Sequence, residues 1–169
     1  CSNLIINRSD LSGSGITTTS FNDGLTASSV YGTRIQDEEI SLNVPDVVRV
    51  LAVFETNDST DPDLPLIGVT NQTDTFSGNV TVGEQFVGGS SGAVARVVDP
   101  QATQLSFVYE NENVFEVGEN ISLKTSGIFA TITGVTPGDR NILKNFKLDN
   151  GQRVEFADFS RLIRKSNVE

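Results

Sequence analysis

The apolar positions fall into short blocks with a period of two. Ile40-Ser41-Leu42-Asn43-Val44 alternates apolar and polar, which predicts a half-buried strand that Pro45 interrupts. Val47 to Phe54 then runs almost continuously apolar and β-branched and predicts a central strand buried on both faces. Residues 56–65 read as a loop. Residues 1–35 are polar and rich in Ser, Thr and Gly, with Leu4-Ile5-Ile6 as their one compact apolar cluster. Within them Ile16-Thr17-Thr18-Thr19 reads as a strand and Asn22-Asp23-Gly24 as a turn.

The centre of the chain is duplicated. Val82-Gly83-Glu84-Gln85-Phe86 recurs 35 residues later as Val117-Gly118-Glu119-Asn120-Ile121. At the same offset Ser91-Gly92 returns as Ser126-Gly127, Ala95 as Ala130 and Val97 as Ile132. The pattern predicts two β-hairpins, with Gly83 and Gly118 at turns that need φ > 0 and Ser-Gly at each tip. Phe86, Val94 and Val97 are expected to face the core in one copy, and Ile121, Phe129 and Ile132 in the other. A lone hairpin is marginal in water, so two copies must hide each other's apolar face. Glu84 and Glu119 invite comparison with a pair of catalytic carboxylates. Their place beside a turn glycine argues for accepting backbone N–H bonds instead.

Past residue 140 the pattern changes. Asn150-Gly151 sits between Phe146, Leu148, Val154 and Phe156, the strongest short signal for a two-residue hairpin. In that hairpin those four side chains share an apolar face, with Lys147, Arg153 and Glu155 opposite. Phe159, Leu162 and Ile163 continue at near-helical spacing. The chain is therefore expected to be mainly β, in three parts. Residues 1–71 form an N-terminal β-rich region. Residues 72–136 form a duplicated unit (copies about 80–98 and 115–133) closing into a small barrel or sandwich. Residues 137–169 carry a C-terminal hairpin with a short helix or extended tail.

Composition narrows the chemistry. Charged residues are 20% of the chain and hydrophobic residues 37%; His, Met and Trp are absent and Cys1 is the single cysteine. Without His the usual general base and the commonest metal ligand are missing. One Cys excludes intrachain disulfides and thiolate clusters. An enzyme is not expected, nor a cofactor. Asp58, Asp61 and Asp63 group hard oxygen donors that suit calcium, but Pro62 and the lack of a distal Glu depart from an EF-hand, and a solvated loop is the simpler reading. Five Asn-x-Ser/Thr sequons, at Asn7, Asn57, Asn71, Asn79 and Asn120, are too few in so Asn- and Ser/Thr-rich a chain to argue for glycosylation. No segment has the apolar length of a membrane span. Cys1-Ser2-Asn3 would also suit the lipidated start of a bacterial surface lipoprotein, although a fragment boundary is the simpler reading.

Charge is placed unevenly. From residue 140 on, seven Lys and Arg face four Asp and Glu, a net +3, whereas the first 139 residues carry net −13. The acidic body disfavours nucleic acid. Arg161, Arg164 and Lys165 are expected to lie within about one helical turn of each other and to dock an acidic neighbouring surface.

Ile142 to Arg153, containing Phe146-Lys147-Leu148-Asp149-Asn150-Gly151-Gln152-Arg153, and Phe156 to Lys165 resemble a segment of long virion structural proteins of marine contractile-tailed phages. Phe156 and Phe159 stand where that family has Tyr. Ser41 to Glu55 and the repeated V-G-E and S-G elements are also similar to regions upstream of that segment. The resemblance implies a structural baseplate, tail-fibre or surface-appendage component of the virion, without catalytic residues. Its implied partners are other virion proteins, and identical copies are expected among them. A receptor- or glycan-binding module of the same particle is the alternative; Trp, the usual sugar-stacking residue, is absent.

Overall fold

The computed structural model describes residues 39–42, 44–56, 61–154 and 158–166. The strand and turn expected within residues 1–35, Asp58, and the expected positions of Glu155 and Phe156 lie outside them. The described chain is mainly β, with strands β1 (Glu39–Ser41), β2 (Phe54–Glu55), β3 (Leu66–Thr70), β4 (Gln85–Gly88), β5 (Val94–Pro100), β6 (Gln104–Tyr109), β7 (Asn120–Leu123), β8 (Phe129–Thr136), β9 (Arg140–Asn141), β10 (Phe146–Asp149) and β11 (Arg161–Arg164). It divides into two compact units. One runs from Pro62 to Asp139; the other combines the chain up to Asp61 with the chain from Arg140 on. The first unit thus begins upstream of residue 72 and takes in β3.

That unit is a closed antiparallel barrel in the order β3-β6-β5-β4-β7-β8. The duplication is visible in its register. In β4–β5, Gln85, Phe86 and Val87 face Arg96, Ala95 and Val94; in β7–β8, Asn120, Ile121 and Ser122 face Thr131, Ala130 and Phe129, each pair shifted by the same 35 residues. Gly83 and Gly118 have φ of 91° and 92°, and Gly92 and Gly127 have 64° and 71°, so the repeated glycines serve left-handed backbone. Gly83 N–H donates to Val97 O at 2.7 Å and Gly118 N–H to Ile132 O at 2.8 Å. The copies meet through β4 and β7, where Phe86 faces Leu123, Val87 faces Ser122 and Gly88 faces Ile121. Since Val87 and Ser122 are equivalent positions, this pairing places a pseudo-twofold axis between them.

The barrel is filled by its own side chains. Phe76, Phe86 and Phe107 are fully buried with Ile67, Val97, Leu105, Ile121 and Ile132. Phe86 stacks on Phe115 at 5.0 Å and meets Phe107 edge-on at 5.6 Å. Two expected core positions move. Ala95 and Ala130 are buried, whereas Val94 is half-buried and Phe129 is 57% exposed. Residues three apart in a strand point to opposite faces, so Val97 and Ile132 carry Ala95 and Ala130 inward and turn Val94 and Phe129 outward.

In the second unit β11 lies between β1 and β10, antiparallel to both. Ile40, Phe146 and Leu162 form its small core, packed by Leu42, Val50, Val53, Ile142 and Leu148. Three expectations are overturned here. The apolar run from Val47 is no central strand: only Phe54 enters one, β2, which pairs with β9, and Val48 is 94% exposed. Asp46 has a φ of 57°, which turns the chain just before the run, and its apolar residues reach the core from irregular backbone. Asn150-Gly151 does not close a two-residue hairpin, because β10 pairs with β11, with Asp149 facing Arg161. Val154 consequently stands in solvent. Finally, of the short helix or extended tail expected at the end of the chain, the helix is overturned: Arg161 to Arg164 is extended and forms a strand. Burial of Leu162 in a sheet between two partner strands outweighs its near-helical spacing.

Candidate functional site

The repeated carboxylates are placed by the turns that begin β4 and β7. Both are 6% exposed, and each serves the other copy. Glu119 Oε2 accepts the backbone N–H groups of Ser90 and Ser91 at 3.1 Å each, Oε1 accepts the Ser91 hydroxyl at 2.8 Å, and Oε1 also accepts Glu116 N–H at 2.7 Å. Glu84 Oε1 accepts the N–H groups of Thr125 and Ser126 at 2.7 and 2.6 Å and the Ser126 hydroxyl at 3.0 Å. Thus the carboxylate of one copy caps the Ser-Gly tip of the other. Gly88 is required by this lock, since a Cβ there would lie 2.6 Å from Glu119 Oε2. Burial pushes the Glu119 carboxyl up, but the N–H groups of Glu116, Ser91 and Ser90 and the Ser91 hydroxyl together hold it below its ordinary value. A carboxylate whose lone pairs are so engaged is a poor proton acceptor. Its chemistry is structural.

Of the acidic loop, Asp61 and Asp63 are described and exposed. Asp63 N–H donates to Asp139 Oδ2 at 2.8 Å, and Asp139 N–H returns to Asp63 O at 2.8 Å, which ties the ends of the barrel unit together. Among the described residues no three His, Cys, Asp or Glu side chains are grouped to hold a metal ion. Among them, too, no helix is long and apolar enough to cross a membrane.

The basic end is divided by the strand it forms. Arg161 and Arg164 lie on opposite faces of β11. Arg161 is occupied: its guanidinium meets Glu39 at 2.6 Å and Asp149 at 3.1 Å. Asp149 also receives Arg153 at 2.7 Å. The Arg153 guanidinium, with Gly151 N–H and Arg161, holds the Asp149 carboxyl well below the usual carboxylate range, against a smaller upward push from desolvation. Arg164 lies over the Phe146 ring at 5.8 Å, and Lys165 Nζ donates to Lys144 O at 2.7 Å. Arg164 and Lys165 instead join Arg140, Lys144 and Lys147 around an open cleft of about 730 Å³, lined also by Ile142 and Ile163. Arg140 is ion-paired with Glu55. Among the described residues Lys144 and Lys147 have no ion-pair partner. Among the described residues no acidic side chain lines the cleft. Sequence reasoning grouped Arg161 with Arg164 and Lys165 and missed this set of cations. The excess of Lys and Arg after residue 140 was its only trace.

Comparison of the chain with protein-family models, with curated proteins and with solved structures gives no match.

Proposed function

We propose that the chain is a structural module of a tailed-phage virion, part of a baseplate, tail fibre or surface appendage, and acts through protein–protein contact. One observation carries the reading: the repeated polar groups are consumed inside the fold, while the stretch that resembles virion proteins presents an open basic cleft. Glu84 and Glu119 lock the barrel, and the barrel interior is occupied by Phe76, Phe86, Phe107 and Phe115. The cleft is built from Arg140 to Ser166, almost the same residues on which the resemblance rests. A module of this kind keeps its shape without a cofactor and offers charge to a neighbour. The test is mass spectrometry of purified particles from the phage encoding the chain, with gold-labelled antibody to place it. Its presence in stoichiometric amounts on the particle is the expected result. Particles that lack it would sink the proposal.

A further inference from the structure

We infer that the basic cleft docks the exposed acidic segment Glu112–Val117 of a second copy of this chain. The inference rests on the structural reading above and adds the partner.

The cleft is lined by Lys144 and Lys147 beside Arg140, Arg164 and Lys165, with Ile142 and Ile163 as its apolar part. Its occupant must therefore be acidic and carry some apolar surface. The barrel unit supplies such a segment. Its sequence, Asn111-Glu112-Asn113-Val114-Phe115-Glu116-Val117, leaves Glu112 and Glu116 exposed, together with Val114 at 60% and Val117 at 65%. Among the described residues neither the Glu112 nor the Glu116 carboxylate has an ion-pair partner. Glu110, just upstream, is already bound to Arg96 at 2.9 Å and to Gln85 at 2.6 Å, and stays out of the contact.

The segment is held ready. Phe115 is buried in the aromatic cluster with Phe86, Phe107 and Tyr109. Asn111 and Asn113 both donate to Gly92 O, at 3.0 and 3.1 Å, and Glu116 N–H is taken by Glu119. Little conformational freedom is left to lose on docking, which favours association. Two exposed acids and two exposed valines complement two exposed lysines and two isoleucines. Cleft and segment are distinct patches, so their pairing either closes reciprocally in a twofold dimer or propagates from copy to copy into a ring or filament. A nucleic-acid strand would match the cations but not the apolar part, and the net charge of −10 repels it.

The test is sedimentation velocity of the full chain over a concentration series at low and at high salt. Wild type is expected to associate, and salt is expected to weaken the association. Lys144→Glu/Lys147→Glu and Glu112→Lys/Glu116→Lys should each weaken it roughly tenfold or more. These are surface positions, and unchanged melting curves would show that the fold is kept. Mixing the two variants should restore a heterodimer, because one retains the cleft and the other the segment. A wild-type chain that stays monomeric overturns the inference, as does association that survives both reversals. Tight binding of single-stranded DNA by a monomeric wild type would overturn it in favour of a polyanion. Failure here leaves presence on the particle untouched, and absence from the particle does not alter the sedimentation result.

Discussion

In the barrel, sixteen buried side chains form one continuous core, whereas the core of the sheet of β1, β10 and β11 has three among the described residues, Ile40, Phe146 and Leu162. The two units compensate differently for exposed edges. The barrel closes on itself, so its strands have no free ladder edges to protect. The small sheet is held by polar staples. Asp149 gathers Arg153, Arg161 and Gly151 N–H, and the buried Ser160 hydroxyl donates to Asn150 O at 2.9 Å while accepting Val47 N–H at 2.9 Å. A duplicated sequence can satisfy its polar groups by exchange between copies. A single-copy element must recruit partners from distant parts of the chain, and here it leaves cations facing outward.

The largest effect should come from emptying the barrel. Phe107 is fully buried and touches three other aromatic rings, so Phe107→Ala is expected to cost about 3–5 kcal/mol in chemical denaturation. A loss below about 1 kcal/mol would mean that the barrel core is not packed as described.

The lock between copies comes next. Glu119→Gln removes the charge that three N–H groups and two hydroxyls address, and should cost about 1–3 kcal/mol at neutral pH. The pH dependence has a definite sign. The folded carboxyl titrates below its unfolded value, so its contribution is complete above the ordinary carboxylate range. It is lost as pH falls through the folded value. Wild type and Glu119→Gln should therefore converge in stability in acid, and a gap that stays constant with pH would break the comparison between the charged lock and its neutral analogue.

The smallest effect is at Val154. In a two-residue hairpin closed at Asn150-Gly151, this valine would sit on the buried face. In the observed pairing of β10 with β11 it is fully exposed, and Val154→Ser is expected to change stability by less than about 0.5 kcal/mol. A cost above about 1.5 kcal/mol would favour the hairpin register over the observed one.

Most of the barrel was legible because its signals are local and doubled. A period of two marks each strand, glycines at matched offsets mark positive φ, and agreement between copies removes ambiguity that either alone would leave. The roles of Glu84 and Glu119 as turn acceptors were legible for the same reason, though the exchange of partners between copies was not. Nothing in the spacing of Glu119 reveals that Ser90 and Ser91 lie across the axis. Hydrophobicity alone misplaces Val94 and Phe129, because parity along the strand, set by Val97 and Ile132, turns them outward.

By itself, then, the sequence determined a β-rich chain, two matched hairpins, the glycines that turn them and an acidic body with a basic end. Those properties depend on neighbours a few residues apart or on charge counted over long stretches. Only the tertiary structure decided that β10 would leave Asn150-Gly151 and pair with β11, that the apolar run after Asp46 would stay irregular, and that Lys144 and Lys147 would share a cleft with Arg164. Each of these depends on which distant strand supplies hydrogen-bond partners and burial. Gly151 shows the reason. A Cβ there would lie 2.1 Å from Asp158 O, a contact with the returning chain that no local pattern encodes.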